Sequence, residues 1–191
     1  MANYSGTPIA DIIAALESRP DLPVLAPDRD WDEDLTTRLN NATATDLFGD
    51  RSIADPAFAE AVRSGLLLWN DALDASHTVS QAIDTITGSY WHGIMHRREP
   101  DYGNAKYWFN RVGSHPAMVR VLALATERAA ALVDAAYAEG FVGRTEWDAF
   151  QFVDWCEDAA GLDSDAGELL RVIQLEEIKV LLDYSFEQAL G

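Results

Sequence analysis

Residues 165–190 read DAGELLRVIQLEEIKVLLDYSFEQAL, and their pattern decides the fold. Leu169, Leu170, Ile173, Ile178, Leu181, Leu182 and Phe186, together with the apolar residues between them, fall on every side of a helical period and leave almost no polar face. A surface helix needs such a face for water, so a helix apolar nearly all round belongs at the centre of a bundle. Glu176 and Glu177 interrupt it. A carboxylate drawn into a bundle centre is costly unless it meets a cation or a metal, so this pair points to arginines or a metal close by.

Helix punctuation recurs along the rest of the chain, and no segment shows the alternation of a strand. Asp55-Pro56 opens a helix predicted to run to about Asp84, with a seam of Phe58, Val62, Leu66, Trp69, Leu73 and His77 at spacings of three and four. Ser89 is predicted to cap a helix carrying His92 and His96 that Pro100 limits, and Asn104 to cap a short one ending before Gly113. Pro116 begins the next, to about Glu139, and Thr145 opens another that Gly161 closes. Upstream, Thr7-Pro8 opens a short helix through about Glu17. Three prolines between Arg19 and Asp30 make an extended connector, and Asp30 with Glu33 resembles a capping box for a second short helix ending near Asn40 or Asn41. The expected fold is all-α and a single domain over residues 1–191. Residues 1–50 form a helical cap, and residues 51–191 a bundle of about five main helices.

At 191 residues with 48% hydrophobic content, the chain can bury a core without disulfides or a structural metal. No stretch approaches the roughly 20 apolar residues of a membrane span, and the N-terminal sequence lacks the basic start and apolar run of a secretory signal. The expectation is a soluble, cytoplasmic protein with no membrane partner. The lone Cys156, on a mostly apolar helix with no cation beside it in sequence, reads as buried and inert. Thirty-two acidic residues against fourteen basic ones give a net charge of −18, and only Lys106 and Lys179 are lysines. That sign repels phosphates, which argues against nucleic acid as a partner. A saline habitat selects the same acidity without any functional meaning. Oligomeric state stays open: six tryptophans and an apolar bundle permit a dimer, but no heptad seam demands one.

Against this acidic background, three of the four histidines and five of the fourteen basic residues fall between His92 and Arg120. His92 and His96 are four apart and Glu99 is three further on, so one helical face presents two imidazoles and a carboxylate. That set suits a divalent transition metal or acid-base work. It is not the zincin motif, because no glutamate follows His92. A further ligand has to come from another helix, and His77 is the leading choice, with Asp74 one turn away to orient it. The plainer alternative is a core histidine satisfied by a carbonyl or by Asp74. Glu177 is either a metal ligand or general base, or half of a buried pair with an arginine.

Arg97, Arg98, Lys106 and Arg111 are candidates to hold a small anionic molecule, with Tyr102 and Tyr107 as flat walls beside them. Trp108 and Phe109 read as core. His115, ahead of Pro116 at a helix N-terminus, is disfavoured as an imidazolium there and can act as a neutral base, a ligand or a cap.

The block GSYWHGIMHRREPDYGNAKYWFNRVGSHP, with the upstream LLLWNDALDASHTVSQ, resembles a family of uncharacterised proteins of bacteria and fungi; the similarity spans roughly residues 46–116 and centres on WHxIxHRREPDxxNxKYW. The resemblance implies that this segment is a unit and brings no mechanism with it. The expected function is a small-molecule enzyme, metal-dependent or working by acid-base groups, that acts on an anionic substrate by hydrolysis or proton transfer. Catalysis is expected of His77, His92, His96 and Glu177, and metal binding of His77, His92, His96 and Glu99. A non-catalytic ligand- or peptide-binding module, and a polar network that serves the fold alone, remain alternatives.

Overall fold

The polar segment, and not the most apolar one, supplies the most deeply buried helix. The computed structural model describes residues 2–132, 137–160 and 167–191, and among these every regular element is helical. Three short helices lead the chain: α1 (Ile9–Glu17), α2 (Glu33–Asn41) and α3 (Ala44–Phe48). The bundle follows with α4 (Pro56–Trp69), α5 (Leu73–Ser80), α6 (Ile86–Arg98), α7 (Tyr102–Val112), α8 (Ala117–Ala131), a 3-10 turn (Ala138–Phe141), α9 (Ala149–Ala159) and α10 (Glu168–Leu190). The ten α-helices of the described residues form one compact domain.

Helix α6 buries twelve of its thirteen residues, among them His92, His96, Arg97 and Arg98. It packs on α7, α5 and α4. Helix α10 buries much of its length against α4 and α8 but keeps Glu168, Glu187 and Gln188 exposed. Hydropathy ranks α10 as the central helix because it counts apolar atoms. Burial of α6 depends instead on whether each polar group finds a partner, which hydropathy does not count. Close approach completes the fit: a Cβ on Gly65 of α4 would lie 2.6 Å from the Trp91 ring of α6, so only glycine lets the two helices meet there.

The helix expected from Pro56 to about Asp84 is broken. α4 stops at Trp69, Asp71 takes a left-handed φ of 63°, and α5 starts at Leu73. Left-handed backbone is unfavourable for a residue with a Cβ, and tertiary contacts hold it here: the Asp71 carboxylate pairs with Arg19 at 2.6 Å and with Arg98 at 2.5 Å. This corner turns α5 back onto α6 and carries His77 with it.

Several caps differ from expectation. Thr85 rather than Ser89 caps α6, Asp101 rather than Asn104 caps α7, Asp32 rather than Asp30 caps α2, and Asp148 rather than Thr145 caps α9. In each case a side chain of the preferred type a few residues away won, because the cap must reach the N–H two or three residues on. The helix after Pro116 ends at Ala131, short of the expected Glu139. The closing Gly161 and the expected start of the last helix at Asp165 lie outside the described residues.

The N-terminal helices are tied to the bundle by specific bonds. Phe48 stacks on Phe186 of α10 with ring centres 5.2 Å apart, and Tyr4 donates to Asp183 at 2.8 Å. Asn70, at the end of α4, donates to the Asp32 carbonyl and to Thr36 of α2. No helix among the described residues is long and apolar enough to cross a membrane.

Candidate metal centre

A helical period of 3.6 residues puts Tyr90 and Arg97 on one side of α6 and His92, His96 and Glu99 on the other. The two sides have separate partners. On the histidine side, the His77 ring of α5 lies 4.7 Å from His92 and 5.3 Å from His96, and His92 and His96 are 4.6 Å apart. One ring nitrogen from each residue falls within 4.8 Å of the others.

Two of the rings are oriented by oxygen partners. Glu99 Oε1 lies 2.6 Å from His96 Nδ1 and accepts from it, which selects the tautomer that carries its free lone pair on Nε2. Ser80 Oγ donates to the His77 carbonyl at 3.3 Å and therefore accepts from His92 Nδ1, also at 3.3 Å. The same tautomer follows. A carboxylate or hydroxyl behind each imidazole is how proteins aim metal ligands. Burial first, then the neighbouring His96 and His77 rings, pushes His92 down to about 3, so its ring is neutral at physiological pH, the form that coordinates. Asn104 Nδ2 donates to His96 Nε2 at 3.1 Å, and Trp108 covers His92 at 4.1 Å between ring centres. Tetrahedral coordination by three imidazoles needs nitrogens about 3.3 Å apart, a short inward movement from the observed spread. The donor set therefore fits a divalent transition metal. Glu99, expected among the ligands, faces the far nitrogen of His96; a second cluster of His96, Glu99 and Asp101 also lies within 4.8 Å.

On the other side of α6, Glu177 is fully buried and accepts from Tyr90 at 2.9 Å and from Arg97 at 2.6 Å. Arg97 lies 4.6 Å over the Phe152 ring. Burial works against its charge, but Glu177 outweighs burial and holds the guanidinium above its ordinary pKa. Burial, then Glu177, raises the Tyr90 phenol. The outcome for Glu177 is the buried ion pair, away from the imidazoles.

The four cations expected around one anion are dispersed. Arg97 is held by Glu177, Arg98 by Asp71 with the carbonyls of Leu68 and Val24, and Lys106 by Asp154. Arg97 and Arg98 are buried to 1% and 0% exposure, so neither can meet a substrate from solvent. Arg111 alone stays exposed, its guanidinium 5.1 Å over Trp108. Tyr107 is exposed and Tyr102 half-buried. Trp108, read from sequence as core, is half-buried against His92 instead. Ser80 and Asn104 were not singled out for the site. Ser80 lies three residues after His77 and Asn104 eight after His96, and only the packing of α5 and α7 on α6 brings them to the rings. Burial, opposed by Arg97, pushes the Cys156 thiol up to about 12, so it is no nucleophile.

Among the clefts elsewhere are one of about 470 Å³ over Arg19, Trp31 and Asp71 and one of about 430 Å³ over Trp147 and Phe150. Neither is lined by the three histidines, and Arg19 and Arg144 are each paired with an aspartate.

His115 serves the fold. Its Nδ1 accepts the Ala117 N–H at 3.1 Å, capping α8, so Nε2 carries the proton donated to Thr87 at 3.0 Å. Burial pushes it down to about 4. A folded-state value below the unfolded value of about 6.5 means that the unfolded chain binds the extra proton. Stability is expected to fall as pH drops from about 6.5 toward 4, by at most about 3 kcal/mol from this group. An NMR titration of the His115 ring should find its midpoint near 4 in the folded protein. A midpoint above 6 would show that the cap is not formed.

Comparison of the chain with protein-family models, curated proteins and solved structures finds no match. The site's geometry therefore stands on its own residues.

Proposed function

We propose that the protein is a small-molecule enzyme that uses a divalent transition metal held by His77, His92 and His96. The observation that carries this reading is the convergence of three imidazoles from two helices, with Ser80 and Glu99 behind two of them. Three histidine ligands leave at least one coordination position open, the arrangement of catalytic rather than structural sites. Such a metal would supply Lewis-acid polarisation of a substrate oxygen, chemistry that suits hydrolysis or a proton transfer. Glu99 keeps the His96 lone pair aimed inward. Asn104, whose amide now donates to the nitrogen that the metal would take, would have to release that nitrogen for the metal to bind. Glu177 and Arg97 have no part in the chemistry, and their sealed pairing with Tyr90 favours a second, structural role for the same segment.

Metal content of protein purified without a histidine tag tests the proposal. The expected result is close to stoichiometric zinc, iron, manganese or nickel, lost in the His92→Ala, His96→Ala double variant. Folded wild-type protein that takes up none of these ions when they are supplied in excess would overturn it.

A further inference from the structure

Helix α7 turns one stripe toward the histidines. Asn104, Trp108 and Arg111 are spaced i, i+4 and i+7, so they rise along one side of the helix over about 10 Å. Asn104 stands at His96 at one end, the Trp108 ring lies against His92 in the middle, and the Arg111 guanidinium caps the other end over Trp108. The stripe is a wall that begins at the metal-facing nitrogens and ends at a cation.

Its two ends differ in charge. Asp74, Glu99 and Asp101 stand exposed around the histidine end. Like charges repel, so these carboxylates work against seating the substrate's own carboxylate beside them. At the far end, Arg111 has no carboxylate within ion-pair distance among the described residues, whereas Arg97, Arg98 and Lys106 are each held by one. In a chain with 32 acidic and 14 basic residues, a guanidinium left without an acidic partner beside an imidazole cluster is open to an anion from solution.

Building on the metal-centre reading, we propose that the substrate is an elongated monoanion. Arg111 holds its single carboxylate at the outer end of the stripe, its middle passes the edge of Trp108, and its neutral reacting group meets His96 and Asn104 at the inner end.

Cobalt-loaded protein tests this through the visible absorption of the metal. The probes are the monohydroxamate of suberic acid, whose hydroxamate takes the metal while its carboxylate is free to reach Arg111, and the methyl ester of the same compound. The acid is expected to bind about tenfold to a hundredfold more tightly than the ester, and the difference to vanish in Arg111→Gln while cobalt binding is retained. Equal affinity of acid and ester in cobalt-loaded wild type, or an unchanged difference in Arg111→Gln, would overturn this inference alone. Protein that takes up no cobalt would overturn the metal-centre reading and this inference together.

Discussion

Glu177→Leu is expected to lower the free energy of unfolding by about 3–5 kcal/mol, a large share of what a domain of this size possesses. The fully buried Arg97 guanidinium has one carboxylate partner among the described residues, Glu177 at 2.6 Å, while its Nε and Nη1 have no hydrogen-bond partner there. Removing Glu177 leaves a positive charge in the core beside the Phe109 and Phe152 rings with its carboxylate gone. It also strips Tyr90 of its acceptor. The same argument predicts recovery: a triple variant, Tyr90→Phe, Arg97→Met, Glu177→Leu, replaces the whole network with apolar groups of similar size and is expected to regain most of the loss, because no charge is then left to desolvate. Urea unfolding of the three proteins decides the matter. A Glu177→Leu variant within about 1 kcal/mol of wild type would mean that Arg97 reaches water or another carboxylate, contrary to its burial.

A carboxylate in an apolar helix signals that it needs a cation, and four candidates stood in one segment. Which of them it meets depends on which face of α6 turns toward α10, and that is set by packing. The all-helical class was legible because cap residues, prolines and helical spacings recur along the chain. The corner at Asp71 was not, since Leu73 and His77 continue the α4 seam without interruption in sequence. Only the paired carboxylate of Asp71, with Arg19 and Arg98 from distant parts of the chain, favours the break. The histidine pair on α6 was legible from its spacing, and His77 was within reach of the same reasoning. Ser80, Asn104 and Trp108 were not, because a hydroxyl, an amide or an indole acquires meaning beside an imidazole only after helices α5 and α7 have docked.

Supplying zinc is expected to raise the thermal midpoint of the wild-type protein by on the order of 10 °C. A metal bound only by the folded state stabilises by about 4 kcal/mol at a thousand times its dissociation constant, and a chain of this length gains a few degrees per kcal/mol. The ligands and the groups behind them should separate cleanly. His92→Ala with His96→Ala removes two of the three donors and should abolish the shift. Glu99→Gln keeps an oxygen that can accept from His96 Nδ1 but loses its charge, so the apo midpoint should hardly move while zinc affinity falls about tenfold to a hundredfold. Ser80→Ala should weaken affinity less, since His92 loses only a hydroxyl acceptor at 3.3 Å. A merely structural Glu99 would alter the apo midpoint and leave affinity alone, the opposite ordering. A zinc-induced shift of equal size in wild type and in the double histidine variant would place the ion elsewhere on this acidic surface and remove the three imidazoles from the chemistry.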